Sequence, residues 1–250
     1  MTKYYYLIPI VCGLCFCNAY RLLPISSQSK LVKIDRKSGN YSVDTAYTTM
    51  RKYSDHYYRR VSEFEMQPPI SSQDIVMIGN SITEGGSDWS ERLAASNIIN
   101  RGINGDTAEG VYDRLYQILP GKPQMIFLMC GINDVSHNLS ADSIALLIEK
   151  LIVCIKTQSP TTKIYLQSLL PINESIGRYK LLREKTPVVL KINLLLGQLA
   201  AKHHIQYLNI FSKFTDEGGK NMSRLLSTDG LHLNETGYNI WADELKKCLR

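Results

Sequence analysis

At 250 residues the chain can hold one domain with a full hydrophobic core, and its 44% hydrophobic and 21% charged residues are ordinary for a soluble globular protein. A formal charge of +6 invites an acidic partner, yet the basic residues are scattered as pairs: Arg51-Lys52, Arg59-Arg60 and Lys246-Lys247. Without a basic stripe or a recognition motif, this distribution argues against nucleic-acid binding and for a basic face that keeps the protein in solution.

The chain opens as a targeting segment. Lys3 supplies a positive start, Tyr4 to Phe16 is an apolar run, and Cys17-Asn18-Ala19 offers the small residues that a signal peptidase reads. The run is too short for a stable membrane span, so residues 1–19 read as a removed signal and the mature protein as secreted or periplasmic. The alternative is a lipid anchor at the outer face of a membrane, on Cys12, Cys15 or Cys17. Against it, the preceding Val11, Leu14 and Phe16 are large where a small residue is wanted. The remaining Cys130, Cys154 and Cys248 are odd in number and match no zinc spacing, implying neither a disulfide framework nor a metal.

Residues 20–70 read as an extension. Tyr20 to Asn40 is polar and tether-like, and Tyr53, Tyr57, Val61 and Phe64 then recur at helical spacing until Pro68-Pro69. That aromatic stripe can pack on the domain or line a sugar site, and packing is the default. From about Ser71 to the end, strands and helices alternate. Strands are expected at Asp74–Gly79, Asn97–Asn100, Gln124–Met129, Lys163–Gln167 and Ile205–Ile210. Helices are expected at Trp89–Ser96, Thr107–Leu119, Ala141–Thr157, Pro187–His203 and Glu235–Leu249. Near-continuous apolar strands separated by helices predict a parallel sheet covered on both faces, and right-handed crossovers make it a three-layer α/β/α sandwich of about five strands.

Ligands bind beyond the carboxyl ends of such strands. Ser81 follows the first strand, Gly105 the second and Asn133 the third, so all three reach one edge of the sheet. A serine hydroxyl needs a base to take its proton. His232 suits that role, because Asp229 stands three residues earlier in a turn and can fix its tautomer. His203 and His204 end a helix, His56 lies on the N-terminal helix, and His137 follows Asn133 without an acidic partner of the triad type. The backbone N–H groups of Ser81 and Gly105 and the Asn133 amide can serve as oxyanion donors; Asn133 can alternatively be a turn former.

These four blocks, Gly79-Asn80-Ser81-Ile82-Thr83, Gly102–Thr107, Gly131-Ile132-Asn133-Asp134 and Asp229-Gly230-Leu231-His232, resemble the SGNH hydrolases, also called GDSL esterases and lipases. The stretch from Asn100 to Thr107 is similar to the subgroup of platelet-activating-factor acetylhydrolase subunits and bacterial sialate O-acetylesterases. The resemblance covers about Ser71 to Leu249 and implies a flavodoxin-like fold, no metal or cofactor, and an acyl-enzyme cycle on Ser81. It departs at Asn80, where many members carry Asp. Gly79–Thr83 also lacks the second glycine of an α/β-hydrolase elbow. The expected substrate is a small acyl ester, acetyl on a carbohydrate, with Gly102–Asp106 and Leu169–Tyr179 bordering it. Alternatives are a lysophospholipase or short-chain lipase, and a non-catalytic glycan-binding relative.

Overall fold

The computed structural model describes residues 52–249 and, as backbone, two short strands before them. These strands, β1 (Val32–Ile34) and β2 (Tyr41–Val43), pair antiparallel with Val32 opposite Val43. They fall in one compact unit, Met1–Arg51, and the rest of the chain forms another, Lys52–Arg250. The expected signal at 1–19 and the Ser26–Lys30 tether lie outside the described residues.

In the larger unit, β3 (Ile75–Gly79), β4 (Ile98–Gly102), β5 (Met125–Met129), β6 (Lys163–Gln167) and β7 (Gln206–Leu208) form one parallel sheet in the order β4-β3-β5-β6-β7. Every residue of β3 and β5 is buried. Their uninterrupted apolar sequence suits strands with neighbours on both edges and helices on both faces. The edge strands admit Asn100 and Gln206. Gly79 pairs with both Gly102 and Met129, so the carboxyl ends of three strands are level. The residues that follow them emerge side by side.

Helices α3 (Trp89–Leu93) and α8 (Glu235–Lys246) form one outer layer; α4 (Ala108–Asp113), α6 (Ala141–Gln158) and α7 (Thr186–His203) form the other. In the first layer the rings of Trp89 and Trp241 meet edge to face, centroids 4.9 Å apart, and Trp241 donates its indole N–H to Gln167 at 2.7 Å. In the second, Ile144, Ile148, Leu151, Ile152 and Ile155 recur at helical spacing on α6 and are all buried. Each such side chain contributes about 1.5–3 kcal/mol through burial.

Three expected helices are shorter than their patterns. The last, read over Glu235–Leu249, ends at Lys246, where Cys248 donates its N–H to the Leu245 carbonyl in a tighter turn. The one read over Thr107–Leu119 stops at Asp113, and its remainder forms 3-10 turns at Leu115–Gln117 and Leu119–Gly121. Pro120 lacks the N–H a continuing helix needs, and the Arg114 guanidinium turns inward to Asp106 and to the Gly79 carbonyl. The one read over Trp89–Ser96 ends at Leu93, because Ala94 adopts a left-handed φ of 49° and donates its N–H to Glu91. At the far edge, β7 stops before Asn209, and Ser168 Oγ accepts the N–H groups of Ile210 and Phe211.

Helix α1 (Asp55–Glu65) is capped by the Ser54 hydroxyl and ends before Pro68-Pro69. Its Tyr57, Val61 and Phe64 bury against Ile103, the residue directly after β4. Most of the aromatic stripe is thus packing, and it packs on a loop that matters below. Cys130, Cys154 and Cys248 are free thiols, and burial pushes the Cys130 thiol well above its ordinary range. Among the described residues no helix is long and apolar enough to cross a membrane, and no group of three or more His, Cys, Asp or Glu could hold a metal ion.

Candidate active site

Directly after β3, Asn80 is extended and buried, and its Oδ1 accepts the Ile82 N–H at 3.0 Å. Asn80 therefore caps the short helix α2 (Ser81–Glu84), a task that Asn and Asp perform about equally well, and Ser81 occupies the first helical position. The end of β4 lies hard against this helix. A Cβ on Gly102 would stand 2.1 Å from the Glu84 nitrogen, which leaves only glycine there.

Gly105 follows with φ at 80°, a left-handed conformation in open space. The residue before it is anchored, since Asn104 donates its N–H to Glu84 Oε2 at 2.6 Å. Glu84 also accepts from His56 Nε2 at 3.1 Å and forms an ion pair with Arg60, whose Nε lies 3.1 Å away, both on α1. Arg59 is donor-only and stands 2.7 Å from His56 Nδ1, so that nitrogen accepts and Nε2 carries the proton given to Glu84. The carboxylate thus ties the Ser81 helix, the Gly105 loop and α1 together.

Beneath the loop lies a buried ion pair. Arg114 donates to Asp106 Oδ2 at 2.8 Å and to the Gly79 carbonyl at 3.0 Å, with both side chains shielded from solvent. Burial pushes the Asp106 carboxyl up to about 6, outweighing the attraction of Arg114. Burial likewise lifts Asp134 to about 6, although it accepts the Ala108 N–H at the start of α4. Beside it, on α5 (Ile132–Ser136), Asn133 gives one amide hydrogen to the Asp106 carbonyl at 2.8 Å, and its second has no protein partner among the described residues.

The last block comes from the turn before α8. His232 Nε2 lies 2.9 Å from Ser81 Oγ, and His232 Nδ1 lies 2.9 Å from Asp229 Oδ2. Asp229 Oδ1 accepts the backbone N–H groups of Leu231 and His232, while Tyr179 donates its hydroxyl to Oδ2 at 2.9 Å. Burial raises the Asp229 pKa, but these hydrogen bonds prevail and hold the carboxyl well below the usual range. Asp229 is therefore charged at neutral pH and draws the His232 proton to Nδ1, which leaves Nε2 to accept from Ser81. Tyr179 is itself pushed up to about 12 by burial and by its bond to Asp229, so it stays a donor.

Ser81, Asn104, Asn133, Tyr179 and His232 line one cavity of about 380 Å³. Of the residues expected from sequence, Ser81, Asp229 and His232 form one hydrogen-bonded chain, and Asn133 shares their cavity. Gly105 instead lines a neighbouring cavity of about 420 Å³ with Tyr53, Asp106 and His137. Tyr53, the outer end of the aromatic stripe, donates to Asp113 at its edge. Sequence reasoning missed Tyr179 and Glu84. Tyr179 carried no signal beyond ending a loop expected to border the site. Ser81-x-x-Glu84 has capping-box spacing, but Glu84 reaches across to Asn104 instead.

The model of the GDSL-like lipase/acylhydrolase family matches residues 77–240. The rat platelet-activating factor acetylhydrolase IB subunit alpha2 is 28% identical over 189 residues, 74% of this chain and 79% of that one. A Streptococcus pneumoniae protein whose structure is named for platelet activating factor superposes with a TM-score of 0.69 at 26% identity, over 78% of this chain and 91% of that one. An acetyl xylan esterase shares the fold with a TM-score of 0.60 at 21% identity, over 71% of this chain and all of its own (100%).

Proposed function

Since the chain belongs to the GDSL-like lipase/acylhydrolase family and is a carboxylic ester hydrolase, we propose that Ser81 is its nucleophile, His232 its base and Asp229 the carboxylate that orients His232. The observation that carries this reading is the unbroken chain from Ser81 Oγ through His232 to Asp229, each link at 2.9 Å. In the first half-reaction Ser81 Oγ attacks the ester carbonyl as its proton passes to His232 Nε2. His232 returns that proton to the leaving alcohol, and the acyl group remains on Ser81. Water then attacks the acyl-enzyme, with His232 again taking a proton and giving it back to Ser81.

The oxyanion formed in each half is met by the N–H groups of Ser81 and Gly105 and by the free hydrogen of the Asn133 amide. The Gly105 N–H has no protein partner among the described residues, which suits a donor held for the transition state. One such donor is worth about 2.7–4 kcal/mol of transition-state stabilisation. Glu84 holds the preceding residue, so Glu84→Ala is expected to lower kcat on the order of tenfold with KM little changed. Glu84→Gln keeps an acceptor for the Asn104 N–H and should recover most of the rate. Equal loss in both variants would remove Glu84 from this role.

The substrate we favour is a small acyl group, acetyl above all, on a carbohydrate. What supports it is that the acetylhydrolase and the acetyl xylan esterase share acetyl in their names. The second reading, a lysophospholipase or short-chain lipase, draws on the platelet-activating-factor relative. Acetate release from acetylated xylan, with p-nitrophenyl acetate and octanoate alongside, separates them. Turnover confined to the octanoate would replace the carbohydrate reading with the lipid one. We also place the enzyme outside the cytoplasm, on the strength of Lys3 and the apolar run Tyr4–Phe16. Mass spectrometry of the exported protein should find its amino terminus at Tyr20; a retained Met1 would overturn the signal, and a diacylglyceryl-modified Cys would point to the anchor.

A further inference from the structure

Asp229 divides its two carboxylate oxygens between two tasks. Oδ1 accepts the backbone N–H groups of Leu231 and His232 and, at 3.3 Å, the Ser227 hydroxyl, which fixes the carboxylate in its own turn. Oδ2 meets His232 Nδ1 and the Tyr179 hydroxyl, each at 2.9 Å. That hydroxyl also lies 2.9 Å from Nδ1, and the two rings meet edge to face with centroids 5.6 Å apart. Among the described residues only Asp229 and Tyr179 reach Nδ1 by a hydrogen bond. The other groups around the pair do not touch that nitrogen. From α2 comes Ser81, at Nε2, and from α5 the neutral Asn133 and Ser136. The loop after β6 brings Arg178 and Lys180, both exposed, and Lys180 also lines a small cavity with Glu174 and Asp229. On α8, Tyr238 gives its hydroxyl to the Ile82 carbonyl.

Resting on the assignment of Ser81, His232 and Asp229 above, we propose that Tyr179 is a positioning residue that tunes the base of the reaction. By giving its hydroxyl to the oxygen that His232 uses, it weakens the carboxylate's hold on the protonated imidazole and keeps His232 a proton acceptor in more acid solution. A phenol has one proton, and an ionised carboxylate is the strongest acceptor within its reach, so Oδ2 serves two donors at once. Each donor draws charge from that oxygen, and what Tyr179 takes is lost to the Nδ1–H bond. The effect is unequal between the two forms of the ring. An imidazolium carries a full charge and feels the weakened carboxylate, whereas the neutral ring feels it little. Without the hydroxyl, His232 would hold a proton before Ser81 offers one, and the site would stand idle at a pH where it now turns over.

The acid limb of kcat/KM on p-nitrophenyl acetate reads this directly, because it reports the proton that must leave the base of the free enzyme. Tyr179→Phe keeps the ring against His232 and removes only the hydroxyl. Its limb is expected about half to one pH unit higher, so on the acid side the rate falls about three- to tenfold further than on the alkaline plateau. The far-downfield proton signal of His232 Nδ1–H, identified by its absence from His232→Gln, should move further downfield as Asp229 loses its second donor. Should Tyr179→Phe fold poorly, 3-fluorotyrosine at position 179 is a stronger donor of nearly the same shape and is expected to move the limb the opposite way. A limb that neither exchange moves, or a fall in rate equal at every pH, leaves Tyr179 a packing role and overturns the proposal. A limb displaced downward in Tyr179→Phe overturns it too, since the hydroxyl oxygen would then be accepting from Nδ1–H. Wild-type turnover of p-nitrophenyl acetate by Ser81→Ala would instead overturn the assignment beneath it, so the two failures are distinguishable.

Discussion

Ser81→Ala is expected to reduce hydrolysis of p-nitrophenyl acetate by at least about a thousandfold while leaving the fold intact. The hydroxyl meets His232 Nε2 at 2.9 Å and has no structural bond to lose. The cap of α2 belongs to Asn80, not to Ser81, and alanine is a good helix former, so thermal stability should move little. What remains is catalysis by the oxyanion donors and by binding alone. Kinetics on the purified variant beside its melting curve read both quantities. Near-wild-type turnover with an unchanged melting temperature would show that another residue carries the acyl group.

Arg114→Met is expected to be the most damaging single change to stability. It strands the Asp106 carboxylate in a site closed to solvent and removes the donor to the Gly79 carbonyl at the end of β3. Breaking a buried pair by removing one partner costs about 3–5 kcal/mol, which for a unit of this size lowers Tm on the order of 10 °C. The deficit should depend on pH in a definite sense. Asp106 already titrates in the folded state near 6, above its unfolded value of 3.8, so its ionisation costs stability as pH rises across that interval. Without Arg114 the folded value rises further and the costly interval extends upward. The variant should therefore come closest to wild type at about pH 5 and fall behind as pH increases through and beyond 6. Melting curves from pH 5 to 8 decide it; a deficit independent of pH would mean that lost packing, not the stranded charge, is responsible.

Much of the layout was legible because it follows from local pattern. Apolar runs such as Ile75–Gly79 and Met125–Met129 can be satisfied only between two neighbouring strands and two helical layers, so the parallel sheet and its order of strand and helix were readable in advance. Element ends were less so. The helix after Thr107 was broken by the inward turn of Arg114 toward Asp106, a contact between residues eight apart that no periodicity records. In the site, Asp229 and His232 were readable as a pair because they share one turn, and Ser81 and Asn133 because they follow strands that end on one edge. Glu84 and Tyr179 were not, since their partners Asn104 and Asp229 lie 20 and 50 residues away.

The amino-acid sequence by itself determined the sheet, the edge at which the site forms, and which serine, histidine and aspartate are brought to it. Periodicity, strand ends and a three-residue spacing are local properties, and local properties survive in a linear text. How that site is held was settled by the folded chain alone: α1 is latched through Glu84 to the Gly105 loop, and Tyr179 is bound to Asp229. Both contacts depend on which distant side chains meet in the folded chain, a property that no local pattern records.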